Sequence, residues 1–363
     1  MSEYKYIFQD IKILDLTRVY SGPLATRLFA DYGAEVLKIE SIDNPDPTRN
    51  FPPLRHKWSG YYETLNRNKD FLSLNLKDNK DLEFFYDLCK EADVVVENLS
   101  PPTKTKLKVD YDTVRKFNPQ IIYASLSGHD QDSDSGYYDL IAQAESGLLS
   151  LTGFNQPTKI GPAVVDATSG YNLAFGIASA LFHRQRTGKG QWIKVSMLAT
   201  AINMLEQNLI EYSLSNKNPQ LPGNQDLAIA PFGIYKTQDS YISLAAGNPK
   251  MWQRFYQFLD SICQTSQDFT TNQQRLKKQT ALTAYIEKCF AKFDTSSLIK
   301  KLNKIRVPCA KVAQMSDLAN NSWLFRNKAV VKINHPLLGP CLVPGFAIDF
   351  SESQKKNISP IKM

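Results

Sequence analysis

Short apolar, β-favouring runs alternate with amphipathic helical stretches from Ile11 to Ser125, and this alternation restricts the fold more than any other feature of the chain. Residues 11–19 form the first apolar run. Ser21-Gly22-Pro23 follows as a turn, with proline where a helix can begin. Leu24, Leu28, Phe29 and Tyr32 then share one helical face, Gly33 closes the helix, and Glu35-Val36-Leu37-Lys38-Ile39 is a second strand. Further strands are predicted at 71–76, 93–96 and 121–125, with a helix at 81–91. Strand and helix in alternation predict an α/β fold, a parallel sheet covered on both faces.

In the segment 161–197, Val164-Val165-Asp166 reads as a strand end leading into a helix. The apolar face of that helix carries Tyr171, Ala174, Phe175, Ala178 and Leu181. Arg184 and Arg186 suit the negative end of its dipole, and Gly188-Lys189-Gly190 turns the chain into a strand at 192–197. A helical stretch near 197–215 precedes an Asn-, Gln- and Pro-rich linker at 215–224. The predicted division is a large domain over 1–215, a smaller α+β domain over 225–312, and a segment 313–363 returning to the large domain. The small domain should hold a hairpin at 233–245 and helices at 249–262, 278–292 and 295–304. A length of 363 residues suits such a pair of domains.

Composition excludes several classes. Hydrophobic residues at 42% with charged residues at 22% describe an ordinary soluble protein, and no run approaches the roughly 20 apolar residues of a membrane helix. Met1-Ser2-Glu3-Tyr4-Lys5 opens no secretory signal. The five cysteines lie far apart without a CxxC pair, which fits a reducing compartment and a cytoplasmic location. The four histidines stand alone, so no metal is expected. The net charge of +7 is spread along the chain beside acids, as in Lys77-Asp78-Asn79-Lys80-Asp81, which describes a solvated surface and not a nucleic-acid groove.

The chain carries no GxGxxG after its first strand, no GxxxxGK[ST], no GxSxG and no HExxH. Asp166, between strand and helix, is the position of greatest chemical interest. Its local reading is an N-cap, accepting a backbone N–H two or three residues on. A carboxylate at a helix N-terminus also stays ionised, and the free N–H groups there can stabilise an oxyanion formed on an adjacent carbonyl.

The segments Ile13-Leu14-Asp15-Leu16-Thr17, Gly22-Pro23 and Gly33-Ala34-Glu35-Val36-Leu37-Lys38-Ile39-Glu40 resemble the class III CoA-transferases of the CaiB/BaiF type. These are relatives of formyl-CoA transferase, carnitine CoA-transferase and α-methylacyl-CoA racemase. The likeness continues through Asn66-Arg67-Asn68-Lys69, Ala92-Asp93-Val94-Val95-Val96-Glu97-Asn98 and Tyr138-Asp139-Leu140-Ile141-Ala142-Gln143-Ala144. It persists in Thr187-Gly188-Lys189-Gly190-Gln191, Gly247-Asn248-Pro249-Lys250-Met251-Trp252 and His335-Pro336-Leu337-Leu338-Gly339. The resemblance implies a Rossmann-like large domain, a smaller domain and a homodimer of interlocked chains. It places Asp166 at the catalytic aspartate, with no cofactor beyond coenzyme A as substrate, and with an acyl-CoA and a carboxylic acid as the molecules bound.

By the same likeness, adenosine and phosphate contacts fall on Tyr20, Ser21, Leu74, Lys77, Asn98, Leu99 and Lys106, and the pantetheine region on Tyr138 and Asp139. Lys106 stands where the family carries Arg, losing the planar fork that grips phosphate, with Lys69, Lys77 and Lys104 as candidates to compensate. The racemase branch pairs an Asp with a His at the position of Tyr138, and a phenol of ordinary pKa about 10 is a poor base at neutral pH. His129, in a polar loop, reads as a surface residue. Transfer is therefore expected over racemisation, the alternatives being a 2-methylacyl-CoA racemase or a non-catalytic CoA-binding protein. The glycine-rich loop of formyl-CoA transferase is absent from 221–231, so oxalate is not the expected acceptor; succinyl-CoA and a small dicarboxylate are the family-level expectation.

Overall fold

The computed structural model describes residues 5–129 and 136–362; the first four of the N-terminal residues read for a signal and the polar stretch after His129 lie outside them. The chain divides into two compact units. One comprises the described residues up to Leu148, Ile160–Asn216 and those from Asn321 onward, and the other Leu149–Lys159 and Lys217–Asn320.

The first unit is built on a six-stranded parallel sheet: β1 (Lys12–Asp15), β2 (Glu35–Ser41), β3 (Asp70–Leu74), β4 (Val94–Glu97), β5 (Ile122–Ser127) and β6 (Gln191–Ser196). The spatial order is β3-β2-β1-β4-β5-β6, so the sheet grows outward from β1 on one side and from β4 on the other. Ile13 lies beside both Val36 and Val94, and Val96 beside Ala124. Val94, Val95 and Val96 are fully buried, which is why these strands read as unbroken apolar runs: both faces of a parallel sheet are covered. Helix α1 (Ser21–Asp31) connects β1 to β2, α2 (Gly60–Asn66) precedes β3, and α3 (Asn79–Glu91) leads to β4. Phe85 and Cys89 of α3 pack with Leu14, Val95 and Tyr123 on one face.

Between β5 and β6 come α4 (Asp139–Glu145) and α5 (Val164–Thr187). Val164 and Val165 are helical, not strand, because the helix starts two residues before Asp166. The face of α5 also differs from expectation. Leu173, Ile177 and Ala180 are buried, whereas Tyr171 and Phe175 are 53% and 74% exposed. The helix is apolar on two faces, so its periodicity does not say which one meets the sheet. Against α1, α5 packs through Gly170, where a Cβ would stand 2.7 Å from the Ser21 carbonyl oxygen. That missing side chain lets the starts of the two helices approach.

After β6 come two helices, Met197–Asn203 and Glu206–Ser215, and the unit is completed by a hairpin of Val330–His335 with Gly339–Pro344. The second unit has an antiparallel sheet in the order Cys309–Lys311, Tyr241–Ala245, Phe232–Lys236. Its helices Pro249–Asp260, Gln279–Phe290 and Thr295–Lys304 surround a core of Trp252, Phe255, Leu259, Ile286, Phe290 and Leu298. No helix among the described residues is long and apolar enough to cross a membrane.

Candidate active site

The strand order reverses between β1 and β4, and the loops leaving neighbouring strands there diverge and open a crevice at the carboxyl ends. Both loops are held by buried polar groups. The Asp15 carboxylate accepts the Thr17 N–H at 2.9 Å, the Thr26 hydroxyl at 2.7 Å and the Lys69 ammonium at 2.9 Å. Complete burial opposes its charge, but the neighbouring Lys69 and Lys38 charges and the Thr17 and Thr26 hydroxyls outweigh it and hold Asp15 well below the usual carboxylate range. Asp46 accepts the Val19 N–H at 3.1 Å and pairs with Lys38 at 3.3 Å. Val19 has φ +73, a strained conformation for a β-branched residue, and it is this bend that turns the chain from β1 into α1. Asn98, after β4, ties the loops together: its side chain accepts the Arg18 N–H and donates to the Arg18 carbonyl, both at 2.9 Å.

Asp166 lies in the first turn of α5 but does not cap it. The capping group is Asp139, whose Oδ1 accepts the N–H of Val165 at 2.9 Å and of Asp166 at 3.2 Å. Asp139 Oδ2 accepts the Gln143 amide at 2.6 Å. The N-cap role read locally for Asp166 is thus filled from another helix, and the Asp166 side chain is released from it. Its Oδ1 accepts the Ser21 hydroxyl at 2.7 Å. Burial raises its pKa, the Ser21 hydrogen bond pulls it back and the Asp139 charge adds to the rise, leaving Asp166 at about 6. A carboxylate poised there is mostly ionised at neutral pH while being poorly solvated, the condition of a reactive one. Tyr20 and Tyr61 pack near it with ring centroids 6.1 Å apart and planes tilted by 60°, and Phe51 continues the aromatic wall at 5.7 Å from Tyr61. Burial, with the nearby Asp166 charge, raises both phenols, so they remain hydrogen-bond donors and not bases.

Asp166 lines a cavity of about 420 Å³ with Tyr20, Ser21, Asn98, Leu99 and Tyr138. An adjoining cavity of about 300 Å³ holds Leu74, Lys77 and Lys106, and shares Arg18, Asn44, Leu99 and Thr103 with the first. Asp166 and the CoA-contact residues expected from the sequence therefore gather along one trough, apart from Asp139, which is buried with its carboxylate occupied. Two of the lysines considered for phosphate are engaged elsewhere. Lys69 is fully buried on Asp15, and Lys104 is buried on Glu97 at 3.0 Å. His129 is exposed, rests edge-on against Tyr137 and lines neither cavity. Tyr61, Asp46 and Arg18 were not found from the sequence. Asp46 and Tyr61 lie in irregular or short elements without periodicity, while the Asn98 partnership with Arg18 exists only once β1 and β4 are neighbours.

The chain matches one protein family over most of its length. The family model for CoA-transferase family III matches residues 8–360. The chain is 32% identical to the acetyl-CoA:oxalate CoA-transferase of Acetobacter aceti, over 95% of this chain and 89% of that protein. It is 31% identical to the succinyl-CoA:glutarate CoA-transferase of Mus musculus, over 97% and 82%. A CaiB/BaiF family protein from Brucella suis, known from its crystal structure, superposes with a TM-score of 0.87 at 28% identity, over 99% of this chain and 96% of that one. A family model matched over residues 8–360, with a relative 32% identical over 95% of the chain, makes this chain a member of the family III CoA-transferases.

Proposed function

We propose that the chain moves CoA from an acyl-CoA thioester to a carboxylic acid through covalent intermediates on Asp166. The observation that carries this is the half-engaged carboxylate: Oδ1 is held by Ser21, while Oδ2 has no partner among the described residues, and the trough beside it is lined by basic side chains. The Asp166 carboxylate attacks the acyl carbon, forming a mixed anhydride and expelling CoA thiolate. The thiolate then attacks the aspartyl carbonyl and releases the acyl group as its carboxylate, leaving an aspartyl-CoA thioester. An acceptor carboxylate displaces the thiolate from Asp166, and the thiolate attacks the new acyl carbon to give the new acyl-CoA and free Asp166. Carboxylates are weak nucleophiles in water, so confinement in the trough supplies much of the rate.

In this reading the CoA phosphates lie toward Lys77 and Lys106 and the pantetheine arm runs past Arg18 and Leu99 toward Tyr138. Coenzyme A is the only cofactor-like molecule required, and it is substrate. Relatives named for oxalate and glutarate all take dicarboxylic acids, which supports a dicarboxylate acceptor here. Racemisation has less support: no residue lining the Asp166 cavity among those described is a histidine. The exposed Tyr171, Phe175 and Phe182 of α5, with Leu209, Ile210 and Leu214 of Glu206–Ser215, form apolar surface that a second copy of the chain would cover, in keeping with an interlocked homodimer. Five free thiols suit a cytoplasmic setting.

Incubation with a panel of acyl-CoAs, hydroxylamine trapping and peptide mass mapping test the mechanism. A CoA or acyl adduct on the Asp166 peptide is expected. No adduct together with solvent deuterium at the α-carbon would replace transfer by racemisation. For the phosphate contacts, Lys77→Ala and Lys106→Ala should each raise KM for the acyl-CoA about 3–10-fold with kcat within about 2-fold. The increase should shrink as salt is raised. Unchanged KM at low salt in both variants would move the phosphates elsewhere.

A further inference from the structure

We infer that Ser21 is a second catalytic residue, donating its hydroxyl to the Oδ1 on which negative charge develops each time the Asp166 carbonyl carbon is attacked. The inference rests on the reading of Asp166 as the covalent nucleophile. In the resting enzyme the Ser21 hydroxyl donates to Oδ1 at 2.7 Å, which leaves Oδ2 to form the bond to the acyl carbon. Once the anhydride exists, Oδ1 is its aspartyl carbonyl oxygen. When CoA thiolate adds to Cγ, the C–S bond forms and the carbonyl π pair moves onto Oδ1. When the tetrahedral species collapses, the C=O is restored, the Cγ–Oδ2 bond breaks and the acyl group leaves as carboxylate with the displaced pair. Attack of the acceptor carboxylate on the aspartyl thioester places charge on the same oxygen, and thiolate departs. A donor already aimed at Oδ1 stabilises both species without moving.

The helix N-terminus expected to serve as the oxyanion donor is not free to do so. The N–H groups of Val165 and Asp166 both donate to Asp139. Ser21, by contrast, has no capping task of its own: α1 has no side-chain cap, and the hydroxyl donates to the Asp166 carboxylate. Its position is fixed from both sides. The strained Val19, two residues earlier, is clamped to Asp46, and Gly170 admits the Ser21 backbone at a distance that a Cβ would forbid. Ser21 itself is 2% exposed, so the surrounding protein strengthens the bond relative to one in water.

Two substitutions separate donation from packing. Ser21→Ala removes the hydroxyl. Ser21→Cys keeps a group of similar size but a much weaker donor. Each is expected to lower kcat about 10²-fold with KM for the acyl-CoA within about 3-fold, and to slow formation of the hydroxylamine-trapped aspartyl-CoA thioester in a single turnover to match. Loss of a hydrogen bond to the charged carboxylate should also move the acid limb of kcat upward in pH. Wild-type single-turnover rates in Ser21→Ala, or full activity in Ser21→Cys, would overturn the assignment. The wild-type enzyme is the control: an adduct there with unaffected Ser21 variants sinks this inference alone, whereas no Asp166 adduct in the wild type sinks the covalent mechanism itself.

Discussion

Asp166→Ala is expected to lower CoA transfer by at least about 10⁴-fold while leaving the chain folded, because it deletes the proposed nucleophile and not a supporting contact. The wild-type profile should lose activity as pH falls through about 6, where the carboxylate takes up its proton. The same raised pKa has a consequence for stability. A carboxyl that binds its proton more tightly in the folded chain makes the fold less stable as pH rises from about 4 to about 6, and the deficit persists at neutral pH. Asp166→Asn removes the buried charge and retains a group that can accept the Ser21 hydroxyl. It should therefore unfold later than wild type at pH 8, by about 1–2 kcal/mol, and the gain should vanish near pH 4. Thermal melts at the two pH values, beside the kinetic assay, check both halves. An Asn variant that retains turnover ends the nucleophile assignment; one less stable at pH 8 would show that the carboxylate is well solvated and not poised.

The parallel sheet was legible because a strand buried on both faces must be apolar along its length, as Val94-Val95-Val96 is. The same rule misplaced Val164-Val165. Two β-branched residues before an aspartate look like the end of a strand, yet the segment is helical because Asp139, 27 residues earlier, supplies the cap from outside. Nothing local to Asp166 contains that information. Helix α5 failed for a related reason: with apolar residues on two faces, the side that buries is chosen by Gly170 and Leu173 against α1 and the sheet, leaving Tyr171 and Phe175 exposed. The lysines show the limit most clearly. Lys69 and Lys77 look alike in sequence, but the first is sealed onto Asp15 and the second lines the trough, a difference set by tertiary position alone. Asp166 stood out by its place before a helix, its catalytic role came from likeness to a family, and the groups that act on it, Ser21 and Asp139, were seen only in the structure.

Lys69→Met is expected to destabilise the first unit by about 3–5 kcal/mol, the largest stability loss foreseen for a residue that lines neither cavity. Lys69 and Asp15 are both fully buried and 2.9 Å apart, and the ammonium also donates to Asn66 Oδ1 at 2.9 Å and the Pro23 carbonyl at 3.0 Å. Burial pulls the lysine down to about 8, opposed by Asp15, so the ammonium survives at neutral pH chiefly because the carboxylate faces it. Remove the lysine and Asp15 keeps its charge or its proton at a cost, with Thr17 and Thr26 still hydrogen-bonded to it. The effect should reach the site, since Asp15 anchors the loop that carries Arg18, Val19 and Ser21. Removing both charges is a different case. Asp15→Asn with Lys69→Met leaves an acceptor for the Thr17 N–H and no uncompensated ion, and should regain most of the loss. A double-mutant cycle by thermal or urea unfolding measures the difference, the single variant melting about 10 °C low and the double variant within a few degrees of wild type. If Lys69→Met melts with the wild type, the pair is not what holds the loop, and the strained turn at Val19 must be stabilised by Asp46 and Asn98 alone.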